Sequence, residues 1–176
     1  MRTLFLDRDG VINIRIPGEY VKYPDEFVPT EGMALAISRL ATYFDCIVVI
    51  TNQAGIGKGL MDEAALHNVH HKMLDLVAEA GGRIDGIYYC PHRSDAGCSC
   101  RKPATGMAWL ALADFPDIDF SDAWLAGDSA SDIEFGKRLG MRTALIAGKT
   151  EESELLNTIG ADHRFENLPA FAKFIC

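Results

Sequence analysis

Short apolar runs, often β-branched, alternate along this chain with longer segments in which apolar positions recur every three or four residues. Thr3–Leu6, Cys46–Ile50, Gly86–Tyr89, Ala123–Ala126 and Thr143–Ile146 are such runs, with a shorter one near His163–Phe165. All read as strands, and the continuous β-branched run Cys46–Ile50 reads as one buried on both faces. Between them, Met33, Ile37, Leu40 and Phe44 predict a helix from an N-cap at Thr30 to about Tyr43. Leu66, Val69, Met73, Leu76 and Ala80 mark a second helix starting at Asp62 and stopped by Gly81 and Gly82. Pro103 is placed to open a third, carrying Met107, Leu110 and Ala111 inward and ending by Pro116. Further helices are expected up to about Leu139, through Leu155 and Leu156, and up to Phe174. Val11 to Thr30 holds Pro17, Gly18, Pro24 and Pro29 and shows no helical period. It reads as a long loop with a short hairpin, and loops of that length in a compact domain are usually functional.

Strand and helix in alternation predict an α/β fold, a doubly wound parallel sheet with right-handed crossovers. With 176 residues, the chain is long enough for one domain spanning 1–176. The net charge of −8 disfavours a surface for nucleic acid or anionic lipid, although it leaves room for a basic pocket that takes a small anion. No apolar run has membrane-spanning length, and Met1-Arg2 leads straight into a strand without a signal-peptide pattern. A cytoplasmic protein is expected. Of five cysteines, three lie within eleven residues beside a histidine, while Cys46 and Cys176 stand alone, which fits a reducing compartment.

The first strand ends in Asp7-Arg8-Asp9-Gly10. Residues two apart on an extended chain share a side, so Asp7 and Asp9 can converge beyond the strand, where open α/β sheets bind ligands. Two acids so close call for a cation, and oxygen ligands select a hard one, Mg²⁺. A carboxylate held on such an ion can attack a phosphorus centre that the ion polarises. Taken alone, the tetrapeptide equally suits a strand-end turn. After the second strand comes Thr51-Asn52-Gln53-Ala54-Gly55-Ile56-Gly57-Lys58-Gly59, whose glycines would let backbone N–H groups approach an anion, or which is a plain surface loop. His67, His70 and His71 read as solvated helix surface.

Cys90, His92, Cys98 and Cys100 supply the four ligands of a closed, tetrahedral structural zinc site. Such a zinc would stiffen its loop and fix where Arg101 and Lys102 point, and both cations suit phosphate. Gly127-Asp128-Ser129-Ala130-Ser131-Asp132 again puts carboxylates just beyond a strand, although Asp132 also suits a first helical turn.

In order and type, Asp7-x-Asp9-Gly10, Thr51, Lys102 and Gly127-Asp128-x-x-x-Asp132 resemble the motifs of haloacid-dehalogenase (HAD) type phosphatases over essentially the whole chain. With the cysteine loop, the likeness is to their zinc-loop branch, which lacks a large cap domain and contains heptose bisphosphate and histidinol-phosphate phosphatases. The resemblance implies a Mg²⁺-dependent phosphomonoester hydrolase in which Asp7 forms an aspartyl-phosphate and Asp9 serves as acid and then base. It implies Mg²⁺ on the Asp7 carboxylate, the Asp9 main-chain carbonyl and Asp128. Thr51, Asn52, Arg101 and Lys102 would be phosphate and substrate contacts, and Asp132 would orient Lys102 or a metal-bound water. The expected partner is a small phosphorylated metabolite, with the protein a monomer or weak dimer. The Thr51–Gly59, Ile87–His92 and Arg101–Met107 stretches favour a heptose bisphosphate, with Lys58 and Arg101 as cations for its second phosphate. The five residues between His92 and Cys98 suit histidinol phosphate instead. A zinc-stapled binding module without chemistry is the reading from a different class.

Overall fold

The computed structural model describes residues 1–147 and 153–176. Six parallel strands form one sheet in the order β3-β2-β1-β4-β5-β6. They are β1 (Thr3–Leu6), β2 (Cys46–Asn52), β3 (Gly86–Cys90), β4 (Trp124–Gly127), β5 (Arg142–Ile146) and β6 (His163–Phe165). The helices are α1 (Met33–Tyr43), α2 (Ala54–Gly57), α3 (Glu63–Glu79), α4 (Gly106–Asp114), α5 (Ala130–Arg138), α6 (Ser153–Ile159) and α7 (Leu168–Ile175). Among the described residues, no helix is long and apolar enough to cross a membrane.

Alternation along the central strands feeds two cores, as the pleat requires. Leu4, Leu6, Ile47 and Val49 pack with Met33, Ile37, Leu40, Met73 and Phe171 on one face. Phe5, Val48, Ile50 and Leu125 pack with Met107, Ala111 and Phe135 on the other. Burial on both faces is why the central runs read as strands, whereas the edge strands β3 and β6 are mostly half-buried. The chain moves outward from β1 through β2 to β3, then returns to β4 on the other side of β1. That reversal opens a crevice at the carboxyl ends of β1 and β4, the usual ligand position of such sheets.

Four local expectations need correction. Thr30 does not cap α1, because its hydroxyl donates to the Val11 and Ile12 carbonyls, and α1 begins after Gly32 in a left-handed conformation. That tie, with Ile14 N–H donating to the Val28 carbonyl and Thr30 N–H to the Ile12 carbonyl, closes the long loop as a short antiparallel pairing. Pro103 does not open α4, which starts at Gly106. Leu110 is exposed, since the buried stripe of α4 runs through Met107, Ala108 and Ala111 and position 110 falls on its far flank. The glycine-rich segment after β2 is not an open loop. It winds into α2, where a Cβ on Gly57 would come within 2.7 Å of the Pro91 carbonyl oxygen, so that glycine serves close packing and not an anion.

Candidate active site

Asp7 follows β1 directly, its N–H still donating to the Ala126 carbonyl of β4 at 2.9 Å. Asp128 follows β4, so both carboxylates stand at the crevice. With Asp132 they form a buried group whose oxygens lie within 4.8 Å of one another. Lys102 reaches into this group. Its ammonium donates to Asp7 Oδ1 at 2.7 Å and the Ile50 carbonyl at 2.8 Å, and pairs with Asp132 Oδ1 at 2.6 Å. Asp132 also accepts from the Ser129 N–H and hydroxyl through Oδ2, closing a capping box on α5. Its helix-capping role and its ion-pair role therefore coexist.

Three carboxylates and one ammonium leave an excess of negative charge in a place shielded from water. Burial and the neighbouring Asp132 push Asp7 up to about 6, against the pull of Lys102. Burial, Asp7 and Asp132 push Asp128 up to about 8. Burial alone would lower the Lys102 ammonium, yet Asp132 and Asp7 outweigh it and hold it well above its ordinary value. Acids raised in this way mark a place that would take a further cation.

A side chain marks the position. Arg15 Nη2 donates to the Asp9 carbonyl at 2.7 Å and lies 2.6 Å from both carboxylate oxygens of Asp128. Oxygen donors only, gathered around a positive group, are the donor set of a hard divalent ion. Gly10 permits the approach: at φ +100° its Cβ would stand 2.0 Å from Asp128 Oδ2. Sequence reasoning missed Arg15, whose only signal was a cation within the long loop.

The Asp9 carboxyl is not part of this acidic group; the residue turns its carbonyl toward it instead. Its carboxylate accepts from Arg8 Nε and Nη2, from Asn13 Nδ2 at 2.9 Å and from Gln53 Nε2 at 2.8 Å. Burial alone would raise it, and the Arg8 cation with the Asn13 and Gln53 amides outweighs burial and holds it below the usual carboxylate range. Asn13 and Gln53 carried no sequence signal of this role.

Thr51 is buried and its hydroxyl accepts from Gln53 Nε2 at 2.8 Å. Asn52 is occupied with the backbone of Lys102: Oδ1 accepts from the Lys102 N–H at 3.0 Å and Nδ2 donates to its carbonyl at 3.2 Å. It therefore clamps the lysine in place. Arg101 lines the cleft with a buried Nη1 that has no hydrogen-bond partner. The cleft holds about 350 Å³ and is walled by Asp7, Asp9, Thr51, Lys102 and Asp132 at its floor, with Arg15, Tyr20, Lys58 and Arg101 around it. Lys58 sits 5.3 Å over the Tyr20 ring.

Cys90, His92, Cys98 and Cys100 converge as expected. Cys90 Sγ lies 3.5 Å from Cys98 Sγ and 3.1 Å from Cys100 Sγ, and His92 Nδ1 lies 3.2 Å from Cys100 Sγ and 3.6 Å from Cys90 Sγ. All are too long for a disulfide and close to the edges of a tetrahedron around an ion with metal–sulfur bonds of about 2.3 Å. One expectation fails here: His70 is buried, not solvated, and its Nε2 lies 3.2 Å from Arg8 Nη1. His67 and His71 are exposed, as read from the sequence.

The HAD-hydrolase-like family model matches residues 99–171. A D-glycero-beta-D-manno-heptose-1,7-bisphosphate 7-phosphatase from Pseudomonas putida is 38% identical over 174 residues, covering 98% of each chain. A D-glycero-alpha-D-manno-heptose-1,7-bisphosphate 7-phosphatase from Mycobacterium tuberculosis is 37% identical over 172 residues, 96% of this chain and 88% of its own. The crystal structure of the D,D-heptose 1,7-bisphosphate phosphatase from B. bronchiseptica, complexed with magnesium and phosphate, superposes with a TM-score of 0.91 at 35% identity, over 99% of this chain and 98% of that one. With sequence likeness running almost end to end over a matching six-stranded fold, this chain belongs to the HAD-type phosphatases, in the family that includes the heptose bisphosphate phosphatases.

Proposed function

We propose that this phosphatase removes the 7-phosphate of D-glycero-D-manno-heptose 1,7-bisphosphate through an aspartyl-phosphate on Asp7. The observation that carries the reading is the buried Lys102, which touches both Asp7 and Asp132 at the floor of a cleft rimmed with cations. Asp7 is the nucleophile because its carboxylate faces the cleft from the end of a rigid strand, its orientation fixed by Lys102. Lys102 and Thr51 bind the transferring phosphoryl oxygens, and Asn52 and Asp132 hold Lys102 on target. Asp9, ionised in the free protein by its Arg8, Asn13 and Gln53 partners, takes up a proton as the negatively charged substrate arrives, gives it to the leaving alkoxide, and then takes a proton from the attacking water. Arg101 and Lys58 are the cations for the second phosphate, which histidinol phosphate lacks. The substrate named for the relatives in Pseudomonas putida and Mycobacterium tuberculosis supports the same choice.

The Asp7 carboxylate, the Asp9 carbonyl and Asp128 would hold Mg²⁺, which supplies charge neutralisation at the phosphoryl group. Arg15 occupies that position as a cation and must leave it. The Arg15→Gln variant is accordingly expected to bind Mg²⁺ about tenfold more tightly than wild type in calorimetry, because an opposing cation has been removed. An unchanged or weaker affinity contradicts the assignment. The four-residue thiol and imidazole cluster is assigned to structural zinc, and elemental analysis of freshly purified, unchelated protein should find about one zinc per chain. Protein free of zinc sinks that assignment. Five cysteines without a disulfide fit a cytoplasmic setting.

The substrate is tested by following the bisphosphate with phosphorus NMR in the presence of Mg²⁺. Loss of the 7-phosphate signal with the 1-phosphate retained is expected, and loss of the 1-phosphate instead overturns the proposal.

A further inference from the structure

Among the described residues, Arg8 is the largest fully buried side chain, with no exposure to solvent. A guanidinium in that position has five N–H donors and no acceptor, and each donor left unpaired is costly. Two of its nitrogens, Nε and Nη2, hold the Asp9 carboxylate, with Nη2 3.0 Å from each oxygen. The third, Nη1, meets His70 Nε2 at 3.2 Å, across from the middle of α3. Because Arg8 only donates, His70 Nε2 must accept, which fixes a neutral imidazole with its proton on Nδ1. The surroundings agree: burial first, then the Arg8 cation, pushes His70 down to about 3. The Tyr89 ring packs with its centroid 6.1 Å from that of the imidazole.

The geometry points to His70 as a positioning residue: as the acceptor for Arg8 it fixes the guanidinium that aims the Asp9 carboxylate, and through Asp9 it sustains both proton transfers of phosphoryl hydrolysis. The inference rests on the proposed roles of Asp7 and Asp9. Asn13 and Gln53 hold Asp9 from other sides, so Asp9 is misdirected rather than lost when His70 no longer accepts. Substrate binding through Lys102 and the cleft cations does not pass through this relay, and Thr51 touches it only at one remove, through Gln53 Nε2.

The test compares wild type with His70→Leu, which removes the acceptor, and His70→Gln, which keeps one. On the sugar bisphosphate, His70→Leu should lose about 10- to 100-fold in kcat with KM within about twofold, and His70→Gln should recover most of that loss. A second readout uses 4-nitrophenyl phosphate, whose leaving aryl oxide needs no proton. There, phosphorus passes from the aryl oxygen to Asp7 and the aryl oxide departs. Water must then attack phosphorus, giving its proton to Asp9 as the Asp7–phosphorus bond breaks. His70→Leu should therefore show a burst of about one aryl oxide per chain followed by slow turnover, a pattern that a general loss of stability does not produce. If His70→Leu does not reach the native fold, nitrogen NMR of the wild-type imidazole at neutral pH decides: a bare Nε2 is expected, and a protonated Nε2 overturns the inference. A folded His70→Leu that keeps its kcat, or one whose loss glutamine does not repair, also overturns it. Absence of turnover in wild type would instead count against the phosphatase roles assigned to Asp7 and Asp9.

Discussion

Replacing Asp7 by Asn is expected to cut turnover by at least about 10⁴-fold, since no other carboxylate is placed to attack in its stead. Asp132 is spent on Lys102 and Ser129, Asp128 faces Arg15, and Asp9 is tied down by Arg8, Asn13 and Gln53. The fold should survive. Lys102 keeps Asp132 and the Ile50 carbonyl, and the repulsion that Asp7 exerts on Asp128 disappears. The melting temperature of Asp7→Asn should therefore match or exceed that of wild type when both are measured without Mg²⁺. Activity within about tenfold of wild type would refute the nucleophile assignment.

Replacing Lys102 by Met should damage both activity and stability. Methionine keeps the length and apolar stem but removes the ammonium that is shared between two buried acids, leaving Asp7 and Asp132 with no cation between them. Breaking a buried ion pair on one side costs about 3–5 kcal/mol, because the remaining charge is uncompensated. On the same grounds the transferring phosphoryl group loses a fixed positive contact, worth roughly 10²–10³ in rate. Thermal melts and kcat/KM should fall together in Lys102→Met, whereas Asp7→Asn separates them. A Lys102→Met protein as stable and active as wild type would show that the lysine is a bystander.

Much of this arrangement is legible in the amino-acid sequence. Leu4, Phe5 and Leu6 announced a central strand because both faces are covered, and the strands then delivered Asp7, Thr51 and Asp128 to a single edge without further information. The thiols and imidazole of the cysteine loop were equally plain, because residue type and proximity in sequence sufficed. What escaped were contacts that depend on depth and distance along the chain. His70 lies on the same helix as the exposed His67 and His71, and only the Arg8 guanidinium, 62 residues earlier, makes it a buried acceptor. Arg15 carries no pattern of its own, since its position opposite Asp128 follows from how the loop after Gly10 folds back. Asn52 lines the cleft where a substrate contact is expected, and its amide also matches the backbone of Lys102, a pairing across 50 residues that no local spacing reveals. Helical period admits Leu110 beside Met107 and Ala111, but α4 turns its Ala108 flank to the sheet and leaves Leu110 exposed.

The measurement that bears most directly on the whole account is kcat/KM for phosphate release, with Mg²⁺ present, from D-glycero-D-manno-heptose 1,7-bisphosphate and from L-histidinol phosphate side by side. A site with Arg101 and Lys58 around the cleft should prefer the bisphosphate by at least about 10²-fold, the discrimination that one well-paired second phosphate supplies. A preference for histidinol phosphate would contradict the account and assign those cations another purpose.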